Sequence, residues 1–336
     1  MSTKSYISNL SAGRNWAVIG IFFYLFLVVL SFILNSESWS SDLNLEKNYL
    51  GPFKDGNHIL GTDGLGRDVL AGILNGAKIS FLISIATSFF SVMIGLTLGY
   101  LSGYIGNERI KSHPFLISIY LFLCCLWIFY SWSSGSWFLF LIILVCSIFV
   151  IHFVSYKFNL LKANVYLPLD DIVMKLIEFS RSISGIFILI FCLAIFEGRS
   201  IWNVIFVITI VRWQSITRFI RAELLKIKNV EYIKNAEALG IPSFKILQRH
   251  LLPNIYRPLL TIMVYGFAVT IMLEATISYI GIGLPLETVS WGTMLSESRS
   301  YFQAWWLAIF PGLMIFFVTM SLRKLVDTTE DNWTYL

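Results

Sequence analysis

The residues best suited to chemistry are a few charged side chains inside long apolar segments. Glu178, Arg181, Arg212 and Glu274 lie in or near such segments. An ionisable group in hydrocarbon is costly, so it usually faces the interior of a helical bundle, a partner or the membrane interface. For Glu274, the deepest by sequence, we expect a packing or subunit-interface role. We expect Arg181 and Arg212 near span ends or reaching toward the interface.

Residue patterns typical of enzymes do not occur in the sequence. It has no G-x-x-x-x-G-K-[ST] stretch, so the chain carries no P-loop of its own. The 4 His and 4 Cys are scattered, without a C-x-x-C pair or an H-E-x-x-H motif, and no metal site is expected. The sequence therefore predicts no catalytic residues and no cofactor in this chain.

A polar segment between two apolar ones, residues 220–257, has a pattern that suits docking to a partner. Wound as a helix, Tyr232, Ile233, Ala236, Leu239 and Gly240 share one face. Because Ala236 and Gly240 are small and one turn apart, that face can approach a partner closely. The alternative, equally supported by the pattern, is an amphipathic helix that lies on the bilayer surface.

The same segment carries signals for helix ends. Gly240 is predicted to end a first helix, because glycine readily adopts the left-handed conformation found there. Ser243, which follows Pro242, is predicted to cap a second helix. Pro253 is predicted to stop that second helix before the next apolar segment. The result would be a rigid helix–turn–helix.

The elements that position these residues are predicted to be membrane-spanning helices. Of the 336 residues, 57% are hydrophobic and 13% are charged, whereas about 25% are charged in an ordinary soluble domain. A soluble enzyme is nearly excluded. Apolar runs of about 20 residues predict an all-α, polytopic helical bundle of about eight spans. The spans are residues 16–34, 77–105, 115–132, 137–156, 172–196, 201–219, 258–284 and 305–322.

The distribution of Lys and Arg orients these spans. Most of the basic residues outside the spans fall on one side if the N-terminus is inside, and the positive-inside rule then places both termini and residues 220–257 in the cytoplasm. The formal net charge of +5 is accordingly interpreted as a topology signal, and no nucleic-acid partner is expected.

Residues 231–254 resemble the cytoplasmic loop of ABC-importer permease subunits, whose motif is E-A-A-x-x-x-G, nine residues and I-x-L-P. The matching positions are Ala236, Gly240, Leu252 and Pro253. The departures are Lys234, Asn235 and His250. In that family this loop docks onto the ATPase subunit. The resemblance implies an ATPase-coupling role for Tyr232, Ile233, Ala236, Glu237, Leu239, Gly240, Ser243 and Pro253.

A second motif narrows the resemblance to the C-type subunit of dipeptide/oligopeptide permeases. Residues 58–68 read H-I-L-G-T-D-G-L-G-R-D, similar to the signature after the first span of that subunit. The residues of this extracytoplasmic signature are Gly61, Thr62, Asp63, Gly66, Arg67 and Asp68. Further matches follow in the family's order at residues 218–223, 249–254, 274–283 and 290–294.

The resemblance divides the chain into parts. Residues 1–76 would form an N-terminal anchor helix and an extracytoplasmic loop, residues 77–106 and 170–328 the permease core, and residues 329–336 a cytoplasmic tail. Residues 107–169 are interpreted as an insertion into a six-span core, with a transmembrane hairpin packed on the lipid-facing periphery. Ser184 stands where the family usually has a proline that would kink the third core span.

The resemblance implies a permease subunit of an ATP-driven, binding-protein-dependent importer in the bacterial plasma membrane, most readily for di- or oligopeptides. Implied partners are a second permease subunit forming a heterodimer, two ABC ATPases that bind ATP and Mg, an extracytoplasmic substrate-binding protein and the lipid bilayer. The alternatives are an ion-coupled secondary transporter and an importer of the same type for nickel or another small solute. A membrane-embedded enzyme is a third, for which no catalytic constellation is visible.

Overall fold

The computed structural model describes residues 3–34, 44–107, 111–112, 165–196, 199–285 and 287–331. The regular secondary structure of these residues is helical, apart from a two-residue antiparallel pair in which Lys111 faces Tyr166 and Ser112 faces Val165. The helices in chain order are α1 (Thr3–Ile33), α2 (Val69–Tyr100), α3 (Leu169–Arg181), α4 (Gly185–Ile195), α5 (Ile201–Lys228), α6 (Glu231–Ala238), α7 (Ser243–Ile246), α8 (Leu252–Ile280), α9 (Trp291–Glu297) and α10 (Trp306–Asp331). Two π-helical turns, Leu101–Ile105 and Leu247–Leu251, continue α2 and join α7 to α8.

Within the described residues, five helical segments are long and apolar enough to cross a membrane. They are Asn15–Ile33, Val69–Ile105, Ile201–Lys228, Ser243–Ile280 and Trp306–Asp327. The pair α3 and α4 adds a sixth if it is counted as one broken span. The predicted hairpin at residues 115–156 lies outside the described residues, so the total of about eight spans remains a prediction.

The span expected at residues 172–196 is broken, although it lacks the family's proline. Its two helices are bent by 81°. The break lies at residues 182–184, where Ser184 takes an extended ψ of 132° and the Ser182 hydroxyl donates back to the Glu178 carbonyl at 3.0 Å. The Ser182 hydroxyl, which competes for a backbone carbonyl, and the extended backbone of Ser184 therefore accompany this break without a proline.

Of the described residues, those within 1–99 and 177–336 form one compact unit, and those within 100–176 form another. In the first unit, α10 packs on α1, α8 and α9, while α5 packs on α4 and α8. One core cluster includes Tyr24, Ile271 and Trp291, and the Trp291 indole donates to the Ile73 carbonyl at 3.0 Å. In the second unit, the Asn107 side chain accepts a hydrogen bond from the Asp170 amide at 2.9 Å.

Two glycines let α2 approach α5 closely and show the direction of both helices. A Cβ at Gly95 would collide with Ile216, and a Cβ at Gly99 would collide with Ile220. Small residues at these two positions of α2 are therefore required for the close approach. Because both pairs advance by four residues, α2 and α5 run parallel. Residues 44–68 and α9 therefore lie at one end of the bundle, and residues 229–251 lie at the other.

Candidate functional site

The coupling segment, residues 229–251, begins with α6 and ends that helix at a glycine. Gly240 has a φ of +72°, and its amide donates to the Glu237 carbonyl at 2.9 Å while the Ile241 amide donates to the Ala236 carbonyl at 3.2 Å. These bonds satisfy carbonyls that the helix end would leave unpaired. The prediction that Gly240 ends the first helix is confirmed.

Some residues of the predicted docking face of α6 are buried within the protein, and others are exposed. Ile233 and Ala236 are buried, since α6 packs on α5 and α7. Tyr232 is exposed, and Leu239 is 81% exposed. The prediction that Ala236 offers a partner a close approach is therefore wrong, because its side chain packs within this chain. Tyr232 and Leu239, joined by the exposed Phe244 of α7, remain available to a partner.

Two predicted helix boundaries in this segment are wrong. Pro242, with φ −57° and ψ 140°, holds the N-cap position of α7, and Ser243 is already the first helical residue. Pro253 does not stop a helix, because it lies in the first turn of α8. A proline is tolerated there, since its missing N–H would have had no partner within the helix. The helical run from Ser243 to Ile280 is therefore uninterrupted, apart from its π-helical turn.

A side-chain contact ties α6 to the beginning of α8. The Asn254 amide nitrogen donates to the Tyr232 phenol at 3.0 Å and to the His250 carbonyl at 2.5 Å. The Tyr232 and His250 rings lie 6.0 Å apart. Glu237, which also lies on α6, is half-buried. These contacts link α6 directly to α8.

At the opposite end, the signature of residues 61–68 organises the loop before α2. Both oxygens of Asp63 are used: Oδ1 accepts from the Leu65 and Arg67 amides at 2.9 Å, and Oδ2 accepts from Arg67 Nε at 2.5 Å. Asp68 Oδ1 accepts from the Leu70 and Ala71 amides at 2.7 and 3.1 Å. Asp68 thereby caps α2, and its other oxygen lies 2.9 Å from His58 Nδ1.

The remaining signature residues shape the backbone of this loop. Gly61 and Gly66 have φ values of +86° and +76°, and a Cβ at Gly66 would overlap the Asn44 carbonyl. The Thr62 hydroxyl accepts from the Leu50 amide at 2.9 Å. The Thr62 carbonyl accepts from the Trp306 indole at 3.0 Å. The signature side chains thus act mainly within the chain, where they fold the loop onto the bundle.

Arg67 joins this loop to α9 through a half-buried ion pair. Its Nη2 donates to Glu297 Oε1 at 2.5 Å. Burial, and next the neighbouring Asp63 carboxylate, raise the pKa of Glu297 from 4.5 to about 7, although Arg67 opposes the shift. Glu297 therefore gains a proton as the pH falls through about 7.

The two charged residues singled out inside the spans have different environments. Glu274 on α8 is 0% exposed and accepts from the Ser80 hydroxyl at 3.0 Å and the Ser278 hydroxyl at 2.9 Å. The expected packing role agrees with this geometry, whereas a subunit interface does not, because the side chain is enclosed by its own chain. Glu178 is exposed near the end of α3.

Arg212 lies in the middle of α5, contrary to the expectation that it lies near a span end. It is 8% exposed. Its Nη1 donates to the Gly266 carbonyl of α8 at 2.7 Å, and a Cβ at Gly266 would collide with its Nη2. Gly266 therefore makes room for the guanidinium. The sequence could not indicate this, because the two residues lie 54 positions apart.

Sequence reasoning also missed a strip of buried hydroxyls on α2. The oxygens of Ser84, Thr87, Ser88 and Ser91 are enclosed and have no hydrogen-bond partner among the described residues. By contrast, the Thr209 and Thr270 hydroxyls donate to the carbonyl four residues earlier. The spacing of three and four residues, which puts the strip on one face, was the available signal.

Comparison with known proteins decides the class of membrane protein. Residues 160–330, half of the chain, match the family described as binding-protein-dependent transport system inner membrane component. The chain belongs to this family. Members are membrane subunits of transport systems, and the multi-pass helical bundle agrees with that role.

Two similar proteins extend the match beyond the family region. A putative peptide transport system permease protein of Brucella suis is 24% identical over 275 residues, which cover 82% of this chain and 72% of the relative. The dipeptide transport system permease protein DppC of Bacillus subtilis is 24% identical over 320 residues, which cover 94% of this chain and 80% of the relative. The similarity thus includes the first span and the 44–68 loop.

Proposed function

We propose that the chain is the permease subunit of an ATP-driven, binding-protein-dependent importer of di- or oligopeptides. The observation that carries this proposal is the coupling segment, in which exposed Tyr232, Leu239 and Phe244 stand at one end of a bundle of the transport-permease family. The peptide cargo is supported by the names of the relatives in Brucella and Bacillus.

Force would pass from the ATPase to the spans through α6. Movement of the partner displaces Leu239 and Tyr232, and the hydrogen bond from Asn254 to Tyr232 carries that displacement to α8. Helix α8 then acts on α5, against which it packs. ATP and Mg would bind to two partner ATPases. This chain supplies the docking surface and the moving spans.

The proposed topology puts both termini and the coupling segment in the cytoplasm and residues 44–68 outside. The support is the excess of Lys and Arg in the segments assigned to the inside. The outer loop would face the substrate-binding protein, and a second, different permease subunit would complete the pathway. Residues 107–169 would add a peripheral hairpin.

The test is uptake of a labelled dipeptide into proteoliposomes that contain the complete transporter and its binding protein. We expect uptake only with ATP inside and the binding protein outside. Uptake driven by a proton or sodium gradient without the ATPases would instead establish the secondary-transporter alternative. ATP-dependent uptake of Ni²⁺ but not of the dipeptide would establish the nickel alternative.

A further inference from the structure

Arg212 holds a charge in the middle of a membrane span, and no acidic group in the described part of the chain balances it. Its one hydrogen bond is to the neutral Gly266 carbonyl, which also accepts from the Thr270 hydroxyl at 2.9 Å. A buried or half-buried guanidinium is stable when a carboxylate or comparable acceptor pairs with it. The contacts seen within this chain leave that requirement unmet.

The guanidinium is open on one side. The Nε and Nη2 atoms of Arg212 have no hydrogen-bond partner among the described residues. Neither atom is fully enclosed by the surrounding protein. The side chain as a whole is 8% exposed. Two donor nitrogens of a planar fork are therefore unpaired and not completely enclosed. This geometry matches a carboxylate, which accepts two parallel hydrogen bonds from one arginine.

The surface around this opening is polar, although it lies within two spans. On α5, Ser215 and Arg218 are exposed. On α8, Tyr265 is exposed and Thr261 is half-exposed. We call these four residues the polar face. The large apolar side chains of α5, Trp202 and Phe206, point elsewhere on the helix, where they are exposed.

The two parts of the polar face lie on the same side of the helix pair. Helices α5 and α8 run antiparallel and meet at Arg212 and Gly266. With about 100° of rotation per residue, the positions three and six residues after Arg212 and those one and five residues before Gly266 fall on the same side of this contact. Exposing these groups to lipid would be costly, so the face is suited to water and a polar cargo.

We propose that Arg212, at the inner end of the polar face, binds the carboxylate of the peptide cargo during translocation. This inference rests on the proposed function and adds a cargo-contacting residue to it. Gly266 holds the guanidinium at mid-span with its open nitrogens toward the pathway. The other possible source of the carboxylate, an acidic side chain of the second permease subunit, is separated from the cargo by the following experiment.

The experiment compares two cargoes in proteoliposomes that contain the complete transporter and its binding protein. One is alanyl-phenylalanine, and the other is its C-terminal amide, supplied at a concentration that gives measurable wild-type uptake. For each cargo, the uptake by the variant is divided by the uptake by the wild type. Any difference in the binding protein's affinity for the two cargoes then cancels in this ratio. Arg212→Gln should lower the ratio for the free peptide by about tenfold or more and leave the ratio for the amide nearly unchanged.

Two further variants separate binding from folding. Arg212→Lys keeps the charge and should restore a large part of free-peptide uptake. Ser215→Asp changes an exposed side chain and places a competing carboxylate beside the guanidinium, so it should also reduce uptake of the free peptide more than that of the amide. Lys226→Gln, an exposed position on the same helix, is the matched control and should change neither ratio.

Each other outcome overturns the inference. An equal loss for both cargoes in Arg212→Gln would assign the arginine to the second permease subunit or to packing. An unchanged ratio for both cargoes would show that no carboxylate binds there. If the wild type imports neither cargo with ATP, the proposed peptide transport fails, and the inference fails with it. Normal wild-type import with an equal loss in the variant rejects the Arg212 inference alone.

Discussion

The Asn254 amide donates to the Tyr232 phenol at 3.0 Å and so joins the coupling helix α6 to the first turn of α8. This single contact lies between the proposed ATPase-docking surface and a helix that reaches across the membrane to Glu274. Helix α6 also packs on α5 and α7, and this hydrogen bond adds a direct side-chain contact with α8. Its removal should separate ATP hydrolysis from transport.

Tyr232→Phe keeps the ring of Tyr232 and removes only the hydrogen bond. The lost bond is worth about 1 kcal/mol, so we expect normal assembly and a severalfold decrease in peptide imported per ATP hydrolysed. The measurement is simultaneous uptake and ATPase activity in proteoliposomes. Tyr256→Phe is the control, because its phenol accepts from Arg257 Nε at 3.0 Å on the exposed surface of α8. A similar decrease in both variants would argue against this route.

Gly240→Ala tests the end of α6 with a closely matched control. Gly240 and Gly281 have φ values of +72° and +88°, and at both positions a Cβ would meet none of the described atoms within 4 Å. Alanine should cost about 1–2 kcal/mol of backbone strain at each position. Since only Gly240 borders the docking surface, uptake should decrease in Gly240→Ala and persist in Gly281→Ala. Equal uptake in the two variants would remove the special role of Gly240.

The Arg67–Glu297 junction should make the outer loop sensitive to pH. The pKa of Glu297 is raised from 4.5 to about 7 in the folded protein. The folded state therefore binds more protons than the unfolded state between these values, and stability should decrease as the pH rises from about 5 to about 7.5. Glu297→Gln should have a flatter profile. Thermal unfolding in detergent measures this, and parallel profiles for the two proteins would contradict it.

Glu274 should act by packing and not by proton transfer. Glu274→Gln keeps acceptors for the Ser80 and Ser278 hydroxyls, so we expect near-normal uptake and stability. Glu274→Leu leaves both hydroxyls without an acceptor, which should lower the free energy of unfolding by about 1–3 kcal/mol. Thermal unfolding and uptake are measured on the same preparations. Loss of uptake in Glu274→Gln, with stability retained, would instead support a proton relay.

Local features of the sequence predicted much of the fold. Long apolar runs predict the spans, because a helix that crosses lipid must bury its backbone bonds and expose apolar side chains. Gly240 was predicted correctly because a left-handed residue after a helix favours glycine. The dense Gly and Asp pattern of residues 61–68 is likewise typical of a structured loop.

Features that depend on distant packing were not predictable from the sequence. Both Ile233 and Leu239 are apolar, and only the position of α5 and α7 decides that Ile233 is buried while Leu239 is exposed. Pro253 was interpreted as a helix stop, because nothing in the sequence indicates that a π-helical turn runs directly into α8. The sequence places Arg212 near the membrane interface, because its contact with Gly266 forms only in the folded bundle.

The most direct test of the central claim is site-specific cross-linking of the coupling segment in the assembled transporter. Leu239→Cys and Leu65→Cys, both in a cysteine-free background, place one thiol in the coupling segment and the other in the loop at the opposite end, and both positions are exposed. We expect Leu239→Cys to cross-link to an ATPase subunit and Leu65→Cys not to do so. Cross-linking of the ATPase to Leu65→Cys and not to Leu239→Cys would contradict both the topology and the coupling role.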